Sequence, residues 1–134
     1  GDVYKRQIHA LTVAVNKLPQ IQSDEKCLDE RLVAMMNYMQ TNYQTVTLEG
    51  MAQQFHLSTP YISKYIKEKS GKTFGEQVIA IRMKRAKTLL KNGNMTVENI
   101  SHAVGYQNVE NFSRQFKKNF QMTPVQYRNQ NRVS

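Results

Sequence analysis

The sequence predicts an all-α protein in which two helix-turn-helix subdomains are joined by a connecting helix. Three observations carry this prediction. Apolar residues recur at helical spacing, one segment is repeated further along the chain, and a helical stretch lies between the two copies. The 134 residues suffice for one ordinary domain. No apolar run approaches the roughly 18 residues of a membrane span, so we expect no membrane partner.

Positive charge is concentrated in the C-terminal part of the chain. Residues 1–56 contain 5 Lys and Arg against 6 Asp and Glu, whereas residues 57–134 contain 14 against 4. This asymmetry indicates a polyanionic partner. We expect double-stranded DNA rather than a membrane, because the chain has no Lys- and Arg-rich interfacial helix bearing Trp. The single cysteine, Cys27, permits no intrachain disulfide and favours a reducing, cytoplasmic location.

The first residues are interpreted apart from the fold. Residues 1–7 look like the translation of a transposon-end adapter used in DNA library preparation, with a native tail as the alternative. Residues 8–26 predict a short helix, ended by Pro19, and a polar linker. We interpret this helix as a remnant of a missing upstream domain or as a dimer-forming linker. Its apolar side is formed by Ile8, Leu11, Val15 and Leu18.

An internal repeat is the most informative feature of the sequence. Thr47 to Phe74 matches Thr96 to Pro124, at an offset of 49 residues before the turn and 50 after it. Each copy predicts a helix of about eight residues, a tight turn and a second helix of about a dozen, which is the helix-turn-helix outline. The two subdomains then occupy residues 27–74 and 93–134, and residues 75–92 form the connecting helix.

Residues suited to helix caps and turns support the predicted helix boundaries. Thr47 and Thr96 are expected to be N-caps, and Ser58 or Thr59 caps the second helix of the first copy. Gly71 is expected to end that helix.

The connecting helix sets the distance between the two copies. With about 17 residues it would span roughly 25 Å. The two second helices can therefore enter groove segments about one turn of duplex, near 34 Å, apart. We expect phosphate contacts from Thr47, Lys67, Arg82, Arg85, Thr96 and Lys117.

The second helix of each copy is the candidate recognition helix. Its early, outward side chains face the major groove, and apolar residues such as Ile62 and Phe112 mark the inward side. In the first copy we predict DNA contacts from Thr59, Pro60, Tyr61, Ser63 and Lys64. In the second copy we predict them from Asn108, Val109, Glu110, Asn111, Ser113 and Arg114.

Arg114 is the first-ranked base reader. Arg114 and Lys64 can donate to guanine O6 and N7, Glu110 can accept from cytosine N4, and Val109 can contact a thymine methyl. The alternative for Arg114 is an ion pair with Glu110 at i, i+4. Tyr106 is expected to pack within the domain.

These residues resemble the C-terminal DNA-binding domain of AraC/XylS-type transcription regulators over about residues 29–131. The most specific parts are Ile100-Ser-His-Ala-Val-Gly-Tyr, Phe112-Ser-Arg-Gln-Phe-Lys-Lys and Thr123-Pro-Val-Gln-Tyr-Arg. The resemblance implies seven helices in two homeodomain-like three-helix bundles, both reading successive major-groove segments of a site without internal symmetry. It also implies a sequence-specific regulator, more commonly an activator, with RNA polymerase as a partner. Homodimerisation would then occur through a missing N-terminal sensor domain.

Two positions depart from the family pattern. Gln121 stands where the family usually has Gly, which predicts a strained helix end. Gln77 replaces a frequent aromatic residue.

No catalytic residue, metal site or cofactor is predicted. The three histidines are scattered, and neither a Cys/His metal spacing nor a Gly-rich phosphate loop is present. Glu98 and His102, at i, i+4, fit a surface pair better than half of a zinc site. We therefore predict that the chain is not an enzyme. The alternatives are a targeting module of a nuclease, recombinase or DNA-repair enzyme whose catalytic domain is missing, and an adaptor for an acidic protein.

Overall fold

The computed structural model describes residues 29–131. The predicted adapter segment, remnant helix and linker lie outside the described residues. The chain divides into two compact units, one ending at Ala34 and the other beginning at Met35, and both hydrophobic cores described below lie in the second. The described helices are α1 (Glu30–Thr41), α2 (Leu48–Phe55), α3 (Thr59–Ser70), α4 (Phe74–Asn92), α5 (Val97–Ala103), α6 (Val109–Phe120) and α7 (Pro124–Asn131).

The all-α prediction is confirmed, since these seven helices account for the regular structure of residues 29–131. The two copies of the repeat have helices of 8 and 12 residues in the first copy and of 7 and 12 in the second. The connecting helix, α4, has 19 residues and begins one residue earlier than predicted. No helix in the described range is long and apolar enough to cross a membrane.

The helices begin at side-chain caps. Thr47 Oγ1 accepts from the Gly50 amide at 2.9 Å, and Thr96 Oγ1 accepts from the Asn99 amide at 3.0 Å, so both predicted N-caps are confirmed. Of the two candidates for α3, Ser58 is the cap, and Thr59 is the first helical residue.

Two further caps extend the repeat beyond the helix-turn-helix itself. At the start of α4, Thr73 and Glu76 form a reciprocal capping box, with amide-to-side-chain distances of 2.9 and 3.1 Å. At the start of α7, Thr123 and Gln126 form the same box at the same two distances. The Thr73 amide donates to the Glu76 carboxylate and thereby lowers the pKa of that carboxyl group.

Two hydrophobic cores lie on either side of the middle of α4. We call α1–α3 the N-terminal bundle and α5–α7 the C-terminal bundle. The buried residues of the first core are Met35, Met39, Val46, Met51, Ala52, Ile62, Ile66 and Val78. Those of the second are Met83, Ala86, Leu90, Ile100, Val104, Phe112 and Phe116. Because α4 contributes Val78 to one core and Met83 to the other, it is a structural element of both bundles.

Aromatic side chains fill the C-terminal bundle. Phe112 and Phe116 are fully buried, and the ring centroids of Phe116 and Phe120 lie 4.7 Å apart in an edge-to-face arrangement. Arg128 fastens α7 by donating from Nη2 to Met95 O at 2.6 Å and from Nε to Leu90 O at 3.1 Å. The predicted inward face of α6 is therefore confirmed.

Equivalent turn positions in the two copies use different residues. Gly105 lies in the left-handed region at the second turn (φ 109°), where the first copy has His56 (φ 57°). At the ends of the recognition helices, Gly71 (φ 86°) is matched by Gln121 (φ 59°). The left-handed backbone of Gln121 agrees with the strain predicted there, and Gln121 Nε2 donates to Lys118 O at 3.2 Å.

Candidate nucleic-acid interface

The outer face of α3 carries the predicted contacts of the first copy. Ile62 and Ile66 are buried in the core, which turns the opposite side of the helix outwards. Lys64 Nζ lies 4.0 Å from Glu68 Oε2 in an exposed ion pair that leaves Lys64 free to exchange partners. The exposed predicted residues on this face are Pro60, Tyr61, Ser63 and Lys64, whereas Thr59 is half-buried.

Tyr61 has neighbours on its own helix as well as solvent exposure. Its side chain is 43% exposed and its ring stacks on that of Tyr65, with centroids 5.8 Å apart. Tyr61 thus packs along its own helix and remains partly exposed to solvent.

The outer face of α6 carries the predicted contacts of the second copy. Asn108, Glu110, Asn111 and Arg114 are exposed, whereas Val109 and Ser113 are half-buried. Asn108 is also the N-cap of α6, because its Oδ1 accepts from the Asn111 amide at 2.8 Å. One lone pair of that oxygen is used by the helix, and the Asn108 side-chain NH₂ group can still donate to a base.

Arg114 is held by a neighbour on the same face. Its Nη1 donates to Asn111 Oδ1 at 2.8 Å. Within residues 29–131, this hydrogen bond takes the place of the alternative ion pair with Glu110. The exposed guanidinium has further N–H groups, which are the donors that a planar acceptor pair such as guanine O6 and N7 requires.

The two recognition helices open onto one cleft of about 560 Å³. The C-terminal half of α3 contributes Lys67, and that of α6 contributes Gln115 and Lys118. Lys67 lies three residues after Lys64, and Lys118 lies four residues after Arg114. Residues at these spacings share one face of a helix, so the cleft residue of each helix lies on the same face as a predicted base reader. The C-terminal halves of the two recognition helices therefore line the same cleft.

The cleft is positively charged. Lys72, which follows the end of α3, also lines it, and Glu76 is the acidic residue among the lining side chains. Lys72 was missed by sequence reasoning because it lies outside both recognition helices. Gln115 was also missed, although its spacing of four residues from Asn111 made it detectable.

The predicted phosphate contacts fall into two groups. Most are exposed, namely Thr47, Lys67, Arg85, Thr96 and Lys117. Arg82 differs, since it is half-buried and its Nε donates to Tyr43 O at 2.8 Å. The carbonyl groups of the loop before α2 thus bind the guanidinium within the domain, a geometry that disfavours the expected contact of Arg82 with a phosphate.

Tyr106 packs within the domain, as predicted. Its ring meets that of Phe112 edge to face, with centroids 5.7 Å apart. Burial raises the pKa of its phenol, and the neighbouring Arg82 charge acts in the opposite direction.

The Glu98 and His102 pair lies on the surface. The His102 Nε2 to Glu98 Oε2 distance is 4.0 Å, and both side chains are at least half exposed. In the part of the chain that the structure describes, no three His, Cys, Asp or Glu side chains converge as a metal site.

Two helix-turn-helix units, a shared connecting helix and a basic cleft between exposed recognition helices define a double helix-turn-helix DNA-binding domain. A family model described as a helix-turn-helix domain matches residues 51–130. The chain belongs to the AraC/XylS family of DNA-binding transcription regulators.

Similar proteins place the chain in the same family. The uncharacterized transcriptional regulator YijO of Escherichia coli is 34% identical over 98 residues, 72% of this chain and 35% of YijO. The transcriptional activator RhaS of Pectobacterium atrosepticum is 30% identical and covers 72% of this chain, which spans 35% of RhaS. The chain thus matches about a third of these regulators. The C-terminal domain of AraT, a response regulator from Geobacillus stearothermophilus, superposes with a TM-score of 0.77 at 31% identity, over 80% of this chain and 90% of that domain.

Proposed function

We propose that this domain reads two successive major-groove segments of double-stranded DNA, one with α3 and one with α6, as the DNA-binding part of a transcription activator. The single observation that carries the proposal is the basic cleft that the C-terminal halves of the two recognition helices line together. With 19 residues, α4 is about 28 Å long. That length is comparable with the roughly 34 Å between equivalent positions on successive turns of DNA.

Base recognition is assigned to the exposed polar side chains of the two outer faces. Arg114 donates to guanine in one half-site, and Lys64 donates to guanine in the other. Glu110 accepts from cytosine N4 beside the Arg114 contact. The half-buried Val109 contributes an apolar contact to a thymine methyl.

Phosphate contacts position the two helices on the duplex. Lys67 and Lys118 line the cleft between the helices. The sugar-phosphate backbone of the DNA between the two groove segments passes there. Arg85 and Lys117 extend the basic surface outside the cleft. Such contacts supply affinity without sequence information, and they make the affinity depend on salt.

The activating role is supported by the name of RhaS, a transcriptional activator. RNA polymerase is then the expected protein partner and the cytoplasm the expected location. The chemistry of the domain is binding, without a catalytic step. The alternative of a nuclease, recombinase or repair-enzyme module is not favoured, because the relatives are named as transcription regulators.

Selection of bound oligonucleotides from a random pool tests the proposal. We expect an asymmetric site with two half-sites centred about 10 base pairs apart. Affinity for that site should exceed affinity for random DNA by about 10³-fold or more at physiological salt. Equal affinity for the enriched and the starting pools would contradict sequence reading and would instead favour an adaptor that binds polyanions without sequence preference.

A further inference from the structure

We propose that Arg82 is the residue that restricts the half-site spacing accepted by this domain, because it locks the two bundles together at a point away from the axis of α4. This inference rests on the proposed function, since it concerns how two recognition helices are held for one DNA site. Arg82 lies on α4 between Val78, in the first core, and Met83, in the second.

Arg82 contacts both bundles at once. Its Nε donates to Tyr43 O at 2.8 Å, and its Nη2 lies 3.5 Å from Gln44 O, so the loop that follows α1 is bound to α4. On its other side, the guanidinium carbon lies 5.4 Å from the ring centroid of Tyr106, in the turn of the second helix-turn-helix. The guanidinium therefore joins the N-terminal loop to the C-terminal turn.

Three further contacts surround the same point. Gln44 Nε2 donates to Ala103 O at 2.9 Å, across 59 residues of sequence. The carbonyl oxygen of Gln44 comes so close to Gly105 that an added β-carbon would lie 2.7 Å from it. Tyr43, from the loop of the N-terminal bundle, packs against the core of the C-terminal bundle. We call these contacts the Arg82 junction.

The junction restricts a motion that α4 alone leaves open. One shared helix fixes the axial separation of the bundles, but each bundle can still rock where it packs on that helix. A second point of fixation, off the helix axis, removes this freedom. Because linked binding modules bind jointly only when their geometry matches the spacing of their sites, a rigid pair accepts few spacings and a loose pair accepts more.

The spacing of the half-sites provides a direct test. Inserting one base pair between half-sites moves one of them by about 3.4 Å and rotates it by about 35°. The measured quantity is the ratio of Kd on the inserted site to Kd on the selected site, for the 134-residue chain. We expect Arg82→Met to lower this ratio about fivefold or more, with affinity for an isolated half-site unchanged.

Arg82→Lys separates the junction from a phosphate contact. Lysine keeps the positive charge but loses the planar fork that engages two carbonyl groups. A junction role predicts that Arg82→Lys lowers the spacing ratio almost as much as Arg82→Met, with the same salt dependence as the unsubstituted chain. A phosphate role predicts that lysine preserves affinity and that Arg82→Met weakens binding equally at every spacing. That second pattern would overturn the inference.

Arg85→Met is the matched control, because Arg85 is an exposed arginine on the same helix. It should weaken binding to all sites by the same factor and leave the spacing ratio unchanged. If Arg82→Met does not fold, Gln44→Ala removes another contact of the junction from an exposed side chain and should lower the ratio in the same direction. An unchanged ratio in both Arg82→Lys and Gln44→Ala overturns the inference. Failure of the unsubstituted chain to prefer any sequence or spacing would instead overturn the proposed function.

Discussion

The Arg114 guanidinium is hydrogen-bonded to Asn111, with Nη1 and Oδ1 2.8 Å apart. The backbone N–H of Asn111 donates to Asn108 Oδ1 at 2.8 Å. The Asn108 cap therefore fixes the backbone at Asn111, and the Asn111 side chain in turn holds the guanidinium. This arrangement limits the orientations of Arg114 before DNA binds, which reduces the entropy lost on binding.

A double-mutant cycle on DNA binding measures this connection. We expect Asn111→Ala and Arg114→Ala to be coupled by about 0.5 to 1.5 kcal/mol on the selected site, the usual worth of one hydrogen bond. The measurement is Kd by fluorescence anisotropy for the two single variants and the double variant. Gln107→Ala, an exposed neighbour before the cap, serves as the control and should be additive with Arg114→Ala. Additivity of Asn111→Ala with Arg114→Ala would show that Asn111 does not orient the guanidinium.

The turn of the second copy should tolerate substitution far less than the end of α3. Gly105 and Gly71 both have positive φ, but only Gly105 has a neighbour in the way, since a β-carbon at Gly71 meets nothing within 4 Å. Gly71→Ala should cost about 1 to 2 kcal/mol of stability, from backbone strain alone. Gly105→Ala should cost about 2 to 4 kcal/mol, because overpacking is added to the strain. Equal losses in denaturant unfolding would mean that the loop carrying Gln44 simply moves away.

The capping box of α4 should make stability depend on pH. The Glu76 carboxyl group has a lowered pKa in the folded protein. Its ionised form therefore stabilises the fold above the ordinary carboxyl pKa, and this contribution is lost as pH falls through the lowered value. Glu76→Gln keeps the acceptor oxygen, as Gln126 does in the second box, but does not ionise. We expect melting curves of the unsubstituted chain and Glu76→Gln to converge as the solution is acidified.

The reciprocal substitution tests whether an ionisable capping-box residue also makes stability depend on pH in the second copy. Gln126→Glu should introduce a stabilisation at neutral pH that disappears on acidification. The melting temperatures of the unsubstituted chain, Glu76→Gln and Gln126→Glu would then be compared as a function of pH. Parallel profiles for these three proteins would contradict the assignment of the pH dependence of stability to the capping boxes.

The phosphate contacts should appear in the salt dependence of binding. Lys67 lines the cleft, whereas Lys69, two residues further along α3, lies on the other side of the helix with Nζ 5.9 Å from the Tyr65 ring centroid. Lys67→Ala should reduce the slope of log K against log salt by about 0.9, on specific and random DNA alike. Lys69→Ala should leave the slope unchanged. If both lysines changed the slope equally, the cleft would not be the DNA-binding side.

Local patterns were sufficient to predict the helices and several of their caps. Thr47, Thr96 and Gly71 act on backbone groups within four residues, so sequence alone identifies their roles. The faces of α3 and α6 follow from the spacing of Ile62 and Ile66 and of the phenylalanines, because helical periodicity is itself local.

Interactions across long sequence separations were not predictable in this way. Arg82 lies within a run of basic residues, and nothing in that run distinguishes a phosphate contact from a bond to Tyr43 O, 39 residues earlier. The competing role of Asn108 as a cap was also missed, because the same amide suits a base and a helix terminus. The position of Lys72 beside Lys118 depends on how the two copies pack on α4.

The central claim is that α3 and α6 read different half-sites of one DNA site. The most direct measurement is the affinity of Lys64→Ala and Arg114→Ala for the selected site and for its single base-pair substitutions. We predict that each variant loses about 1 to 3 kcal/mol and becomes indifferent to one base pair, with those base pairs about one helical turn apart. Equal losses on random DNA, or loss of discrimination at one and the same base pair, would contradict the claim.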